Sequence, residues 1–299
     1  MLLADFVGYG MLFSLLSIPR SPTTYWRWCV LRGVALLLVI IFSIGFLVGN
    51  RFVVNTTTIP IGLPTPVRVA VLADIHISAG EEGREWGRKA MVAVMREKPD
   101  VILLLGDFVV HRNGVQYVGD LVAGVHAPLG VYAVLGNHDH WEGAGAITAQ
   151  LESEGVQVLT NRHVVIQKGK TQLALVGIDD LRSGSPDWQA AFRGMPKGVP
   201  VLLMSHNPDA AISPEGQRAA LIVSGHTHGG QVWMPTIVRQ GMHRFAGTGW
   251  PPGSSYGRAH PYGLMRERWG WTYVTSGVVR RFTLPRWFTE AEVAVLELR

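Results

Sequence analysis

Five short segments of the chain carry the side-chain types that hold divalent metal ions. They combine carboxylate, amide and imidazole donors, which suit manganese, iron or zinc and argue against copper(I) or iron–sulfur sites. In two of the segments the donors stand two residues apart, so we expect extended backbone to place both on one face. Each segment alone is common, but together they predict a metal site. In chain order they are Asp74-Ile75-His76, Gly106-Asp107, Gly136-Asn137-His138-Asp139, Ser205-His206 and Gly225-His226-Thr227-His228.

An apolar run precedes each segment and is typical of a buried strand. Helical patterns at residues 82–95 and up to about residue 154 lie between the first runs, a further strand is predicted at 173–178, and short antiparallel strands are predicted after Gln231. This alternation predicts an α/β sheet covered on both faces. Because ligand sites in such sheets form beyond the carboxyl ends of the strands, we expect the five segments to converge. The five runs are residues 67–73, 101–105, 131–135, 201–204 and 220–223.

The five segments, in this order, resemble the calcineurin-like metallophosphoesterases, whose pattern is D-x-H, G-D, G-N-H-[DE], H and G-H-x-H. The resemblance covers about residues 67–298. It implies two packed mixed β-sheets flanked by helices, a four-layer sandwich with a dinuclear metal centre at one end. It also implies an activity, the hydrolysis of a phosphate mono- or diester by hydroxide that two metal ions generate from water.

The resemblance further implies a role for each matched residue. Asp107 would bridge two divalent ions, whose identity among manganese, iron and zinc stays open. His138 would stabilise the transition state or protonate the leaving oxygen, with Asp139 orienting its ring. No residue is assigned to substrate binding. The first ion would be held by Asp74, His76 and His228, and the second by Asn137, His206 and His226.

The first 50 residues predict a membrane anchor. Residues 33–49 contain no charged side chain and one polar side chain, Ser43. With flanking apolar residues this run approaches the roughly 20 residues of a membrane span. A second apolar stretch, residues 1–18, leaves open whether the anchor has one helix or two. Residues 51–66, with three prolines and a threonine run, predict an extended linker, so the phosphoesterase domain would occupy residues 67–299.

Positive charge predicts the orientation of the anchor. Arg20, Arg27 and Arg32 precede the apolar run, and only Arg51 follows it closely. The positive-inside rule then puts the catalytic domain on the periplasmic or outer side of a bacterial inner membrane. These arginines account for most of the net charge of +5, so the near-neutral remainder gives no electrostatic case for nucleic acid as a partner. The single cysteine, Cys29, excludes a disulfide framework.

Departures from individual branches of the family narrow the choice of substrate. Protein Ser/Thr phosphatases carry G-D-x-V-D-R-G, whereas Phe108-Val109-Val110 follows Gly106-Asp107 here, which disfavours a protein phosphatase. The residues after His226 and the apolar N-terminus resemble a bacterial branch of membrane-associated phosphoesterases. Some members of that branch hydrolyse UDP-2,3-diacylglucosamine in lipid A synthesis. This lipid-linked substrate, which is made on the cytoplasmic face, stays an alternative, as does a non-catalytic metal-binding membrane protein.

Overall fold

The structure is a computed structural model that describes residues 21–49, 51–232, 254–280 and 286–299. The chain divides into two compact units, Met1–Leu47 and Val48–Arg299. The apolar stretch at residues 1–18, which left open whether the anchor has one helix or two, lies outside the described residues.

Seven α-helices are formed by the described residues. The first is 28 residues long and exposes apolar side chains such as Leu36, Leu38 and Phe42. Its part Tyr25–Gly49 is long and apolar enough to cross a membrane, as predicted from composition. The helices are α1 (Pro22–Gly49), α2 (Glu81–Arg96), α3 (Val118–Val122), α4 (Asn137–Glu142), α5 (Ala144–Ser153), α6 (Trp188–Phe192) and α7 (Ser255–Ala259).

Twelve strands of the second unit form two six-stranded sheets. Short 3₁₀ turns connect some of them, at Arg112–Tyr117, Pro208–Ile212, Gly216–Arg218 and His228–Gly230. The strands are β1 (Phe52–Ile59), β2 (Val67–Leu72), β3 (Val101–Leu104), β4 (Val131–Ala133), β5 (Gln157–Val158), β6 (Arg162–Lys168), β7 (Thr171–Gly177), β8 (Val201–Met204), β9 (Leu221–Ser224), β10 (Gly263–Arg266), β11 (Trp271–Val274) and β12 (Ala291–Leu298).

Both sheets are mixed, as the resemblance implied. The first sheet has the order β1-β12-β2-β3-β4-β5, in which β2 to β5 run parallel and β12 pairs antiparallel with β2. The second sheet has the order β10-β11-β9-β8-β7-β6, in which β7, β8, β9 and β11 run parallel and the outer strands β6 and β10 are antiparallel. The antiparallel closing strands expected after Gln231 are therefore confirmed for β10 and β12, but β11 is parallel to β9.

Alternating side chains of the strands divide the apolar core into three layers. In β2, Val69 and Val71 pack with β8 and β9 of the second sheet, whereas Ala70 and Leu72 pack under α2 and α5. In β8, Leu202 faces the first sheet and Leu203 packs with α6. Because successive side chains of a strand point to opposite faces, each sheet is covered by the other sheet on one face and by helices on the other. This is the four-layer sandwich.

The linker predicted for residues 51–66 is wrong in its first half. Phe52–Ile59 forms β1, which pairs in parallel with β12 from Phe52↔Ala291 to Ile59↔Leu298. The valines and the threonine run of this segment are β-branched and favour extended backbone in a half-buried edge strand. The ordered fold therefore begins well before residue 67.

Candidate metal centre

The five polar segments of the sequence lie at one edge of the two sheets. Three of them follow β2, β3 and β4 of the first sheet, and two follow β8 and β9 of the second. Hydrogen bonds join neighbouring segments directly: the N–H of Asp74 donates to Gly106 O at 3.0 Å, and the N–H of Gly225 donates to His206 O at 3.0 Å. The predicted convergence at the carboxyl ends of the strands is thus what the structure has.

The backbone reason predicted for this convergence is wrong. Residues two apart were expected to share a face of extended backbone, but five of the seven predicted ligands have left-handed backbone. Their φ angles are 56° for Asp74, 51° for His76, 55° for Asp107, 70° for His226 and 50° for His228. Positive φ is costly for residues with a side chain, and strained backbone of this kind concentrates at functional sites. Tight left-handed turns therefore aim these side chains into the site.

Backbone that passes close to the ligand carboxylates requires glycine. A Cβ at Gly136 would lie 2.2 Å from Asp107 Oδ1, and a Cβ at Gly277 would lie 2.7 Å from Asp74 Oδ2. Gly277 also has a φ of 72°, which disfavours other residues. Gly136 belongs to a segment recognised in the sequence, whereas Gly277 comes from a distant loop and gave no signal.

The first group of donors is formed by Asp74, His76, Asp107 and His228, whose ligand atoms lie within 4.8 Å of one another. His76 Nε2 lies 3.1 Å from His228 Nε2 and 3.5 Å from Asp107 Oδ2. His228 Nε2 lies 3.5 Å from Asp74 Oδ1. All four side chains are buried, so their polar atoms face each other rather than solvent. This is the donor set that the resemblance implied for one ion.

The second group of donors shares Asp107 with the first and adds His206 and His226. His206 Nε2 lies 3.2 Å from Asp107 Oδ2, and His226 Nδ1 lies 3.3 Å from His206 Nε2. Asn137 begins α4 beside these groups, and its buried Oδ1 accepts no hydrogen bond from the described residues. A buried amide oxygen without a donor is costly unless a cation or water satisfies it. The unpartnered oxygen therefore fits a metal ligand.

Hydrogen bonds at Nδ1, the ring nitrogen that points away from the donor groups, fix the orientation of the His206 and His228 rings. His206 Nδ1 lies 2.7 Å from the carbonyl oxygen of Leu105, so Nδ1 carries a proton and Nε2 is the nitrogen that faces Asp107 and is able to bind an ion. His228 Nδ1 lies 3.1 Å from Gln231 Oε1, which has the same consequence for its Nε2. Gln231 supports a predicted ligand, although sequence reasoning gave it no such role.

The carboxylates give the site a strongly negative field. Burial lowers the pKa of His206, but the charge of Asp107 and the hydrogen bond to it raise that pKa more, to about 10. For His76 burial outweighs the same carboxylate and lowers the pKa to about 3. A field that holds a proton between His206 and Asp107 also attracts divalent cations, which take the place of that proton when imidazole becomes a ligand.

His138 stands at the rim of the donor groups. Its backbone N–H donates to Asp107 Oδ1 at 2.9 Å. Its half-buried ring lies 4.8 Å from the ring of His76, centroid to centroid. Burial lowers the pKa of this imidazole. An imidazole beside the metal ligands that stays accessible from solvent can act on a substrate, as expected for the residue implied to protonate the leaving group.

Asp139 has a different role from the one predicted. Its Oδ2 accepts from the N–H groups of Asp107 at 2.8 Å and Gly136 at 2.9 Å, and its Oδ1 accepts from Phe108 at 2.9 Å. Both carboxylate oxygens thus bind backbone of the two loops rather than orient the His138 ring. Burial and the charge of Asp107 raise the pKa of Asp139 to about 7. Asp139 is therefore a support for the bridging position.

Arg286 is a second support, and sequence reasoning missed it. Its side chain is fully buried and donates to the carbonyl oxygens of His228 at 3.1 Å, Ser276 at 2.6 Å and Gly277 at 3.0 Å, among others. Burial lowers its pKa to about 10, so the guanidinium stays charged. It ties the loop behind Asp74 to the turn that carries His228.

An ion pair outside the donor groups also links the two sheets beside the site. His140, on α4 after β4 of the first sheet, lies with Nε2 2.7 Å from Asp179 Oδ1, after β7 of the second. The hydrogen bond to Asp179 raises the pKa of His140, and the pKa of Asp179 is lowered because His140 and the N–H of Ser185 outweigh the effect of burial. The two sheets are thus clamped beside the candidate site.

Known proteins resemble this chain in sequence. The uncharacterized metallophosphoesterase YkuE of Bacillus subtilis (strain 168) is 26% identical over 220 residues, which are 71% of this chain and 72% of that protein. Phosphodiesterase YaeI of Escherichia coli (strain K12) is 31% identical over 177 residues, 58% of this chain and 64% of that protein. The UDP-2,3-diacylglucosamine pyrophosphatase LpxG of Chlamydia trachomatis is 22% identical over 283 residues, 77% of this chain and 80% of that protein.

The family model for calcineurin-like phosphoesterases matches residues 67–230. That span contains all five donor segments and more than half of the chain. The chain therefore belongs to the calcineurin-like phosphoesterases, a family of phosphoric ester hydrolases.

Proposed function

We propose that this chain is a membrane-anchored phosphoesterase that uses two divalent metal ions to hydrolyse a phosphate mono- or diester. The observation that carries the proposal is the pair of donor groups that share Asp107. Two ions about 3.5–4 Å apart need a common ligand, and a carboxylate can bridge them. The unpartnered oxygen of Asn137 supports an ion in the second group.

The proposal assigns metal binding, proton transfer and backbone positioning to different residues. Asp74, His76 and His228 hold one ion, while Asn137, His206 and His226 hold the other, with Asp107 common to both. Once bound, the ions supply positive charge that acidifies a water molecule and neutralises the phosphoryl oxygens. His138 delivers a proton to the leaving oxygen, since its ring reaches the rim of the site and stays partly exposed. Asp139 holds the backbone of Asp107 and Gly136 in place.

The direct test is turnover by full-length protein in detergent, freed of metal with a chelator and then loaded with Mn²⁺, Fe²⁺ or Zn²⁺. We expect hydrolysis of p-nitrophenyl phosphate or bis(p-nitrophenyl) phosphate only after loading. The ratio of the two rates distinguishes a monoesterase from a diesterase. A loaded protein that binds two ions but turns over neither ester would instead support the non-catalytic alternative.

The anchor and its orientation are part of the proposal. Support comes from the apolar helix Tyr25–Gly49 and from the arginines that precede its apolar run. A phosphatase reporter, active only outside the cytoplasm, fused to the C-terminus of the chain in a bacterial host should be active. Activity of a cytoplasmic reporter at the same position would place the catalytic domain on the other side.

A lipid-linked pyrophosphate is a second candidate substrate. Its support is the likeness to UDP-2,3-diacylglucosamine pyrophosphatase LpxG, which extends over 77% of this chain. Against it stands the predicted orientation, because that precursor is made on the cytoplasmic face. The metal-loaded protein should therefore be assayed with UDP-2,3-diacylglucosamine beside the aryl esters, and release of UMP at a comparable kcat/KM would favour this substrate.

A further inference from the structure

Trp141 is an exposed aromatic residue directly beside the candidate site. Its side chain is 55% exposed, and its ring lies 4.7 Å from that of His138, centroid to centroid. Outside α1 it is the one tryptophan with an exposed side chain in the part of the chain that the structure describes. A large apolar ring left in water is unfavourable, and this one lies against a side chain with a proposed catalytic role, so a substrate that covers it gains free energy from the burial.

The geometry of α4 explains why Trp141 lies where it does. His138 and Trp141 are three residues apart and so are neighbours on the helix surface, while Asn137 and Asp139 are buried. The rings of His76, His138 and Trp141 follow one another with centroid distances of 4.8 Å and 4.7 Å. This row begins at a candidate metal ligand and ends in solvent at the indole.

With the roles given under the proposed function, a substrate lies along this row. Its phosphoryl group is held at the donor groups, and the leaving oxygen lies at His138, which protonates it. The atoms attached to that oxygen then extend outward and meet the indole of Trp141. An anionic group there would lose hydration against the indole face without gaining a partner, whereas a flat aromatic ring would gain stacking and burial.

We propose that Trp141 forms the binding subsite for the leaving group, and that this group carries an aromatic ring such as an aryl group or a nucleobase. The inference rests on the proposed function, because it takes the direction of the leaving group from the role of His138. It goes further by naming the chemical class of the substrate. Trp141 is accordingly a specificity-determining residue.

Two phosphonates that cannot be hydrolysed test the subsite on the metal-loaded, full-length protein. Benzylphosphonate carries a ring where phenyl phosphate has one, with CH₂ in place of the ester oxygen, and ethylphosphonate lacks the ring. In the unchanged protein we expect benzylphosphonate to bind about tenfold more tightly than ethylphosphonate. In Trp141→Ala this ratio should fall to about one, while the affinity for ethylphosphonate stays the same.

Two variants serve as controls. Trp141→Phe keeps an aromatic face and should retain most of the preference. Val92→Ala removes another exposed apolar side chain, on α2, and should retain all of it. Metal content and thermal unfolding of each variant show that the metal centre and the fold are intact.

Fluorescence shows directly whether the ligand lies near the indole of Trp141. p-Nitrobenzylphosphonate quenches a nearby indole, so titration should reduce the emission of the unchanged protein more than that of Trp141→Phe, which lacks one of the ten tryptophans. An unchanged benzyl to ethyl ratio in Trp141→Ala overturns the subsite and leaves the phosphoesterase proposal standing. Failure of both phosphonates to bind metal-loaded protein refutes the phosphoesterase proposal and the subsite with it.

Discussion

The two sheets supply different chemistry to the same site. The ligand loops of the first sheet carry the oxygen donors Asp74, Asp107 and Asn137 together with His76, whereas the predicted ligands of the second sheet are all imidazoles. The carboxylates bring negative charge, and imidazoles bound to a metal bring none. The first sheet therefore offsets the charge of the cations, while the second completes their coordination.

Each donor group nevertheless draws on both sheets. Asp74 and His76 of the first sheet meet His228 of the second, and Asp107 of the first meets His206 and His226 of the second. Two bound ions would thus cross-link the sheets at their carboxyl edge. The ligands of the two sheets differ in charge, but both sheets contribute to each donor group. Substitutions in the two sheets should therefore differ in their effects on metal binding and turnover.

Loss of Asp107 should have the largest effect, because both groups share this carboxylate. In Asp107→Ala we expect bound metal, measured by mass spectrometry of the purified protein, to fall from two ions per chain to fewer than one. Turnover of aryl esters should fall by more than roughly 10³-fold, since both charge and bridging are lost.

Variants that remove one histidine from each donor group provide the matched control. His76→Ala and His226→Ala should each retain about one ion per chain, because each disturbs a single group and leaves Asp107 in place. If Asp107→Ala kept two ions, the two groups would not share a bridge, and the contrast between the sheets would lose its basis.

His138 is an exception to the difference between the two sheets. It is an imidazole on a first-sheet loop, and it is not a predicted metal ligand. In His138→Ala we expect two bound ions but a kcat lower by about 10²-fold or more, since a general acid contributes on that scale. The loss should be smaller for a p-nitrophenyl leaving group, which needs no proton, than for an unactivated phenyl ester. An equal loss for both esters would contradict proton delivery by His138.

Removal of metal should weaken the link between the sheets. A ligand present at 100 to 1,000 times its dissociation constant stabilises the folded state by about 3–4 kcal/mol. For a unit of this size, chelation should lower the midpoint of thermal unfolding by about 10 °C, measured by circular dichroism in detergent. The Asp107→Ala variant is the control, and chelation should change its midpoint little.

Much of this fold and site could be predicted from the sequence, for a physical reason. Buried parallel strands are nearly continuous apolar runs, and the functional side chains stand directly after them, so residues 67–76 and 101–107 contain both signals in one short stretch. The donor sets were implied by the family resemblance that the order of the motifs carries. The backbone conformation could not be predicted, since Asp and His tolerate the left-handed turns seen at Asp74 and His76 but adopt them in only a minority of cases.

Long-range partners explain what could not be predicted. β1 was expected to be a linker because its partner, β12, lies more than 200 residues away and its exposed threonines show no apolar alternation. Arg286 has no local signal, since its role depends on carbonyl oxygens from separate loops. Asp139 was recognised in the sequence, where the neighbouring ring of His138 was its expected partner. In the structure its carboxylate instead accepts from backbone N–H groups of Asp107 and Phe108.

The smallest effect on stability should come from loss of the ion pair between His140 and Asp179, and this effect should depend on pH. The raised pKa of His140 means that its contribution to stability is complete below its ordinary value of 6.5 and is lost as pH rises through the raised value. The lowered pKa of Asp179 means that its contribution is complete above 3.8 and is lost as pH falls through the lowered value. The pair therefore stabilises most between these limits.

Asp179→Asn tests this window, since the amide oxygen can still accept from the N–H of Ser185. With a chelator present to remove the pH dependence of metal uptake, it should cost about 1 kcal/mol near pH 5 and less at pH 9. Glu82→Gln is the matched control, because it removes an exposed partner of Arg280 and should cost almost nothing at either pH. A loss for Asp179→Asn that is equal at both pH values would mean that the carboxylate acts only as a backbone acceptor, and that its charge does not join the two sheets.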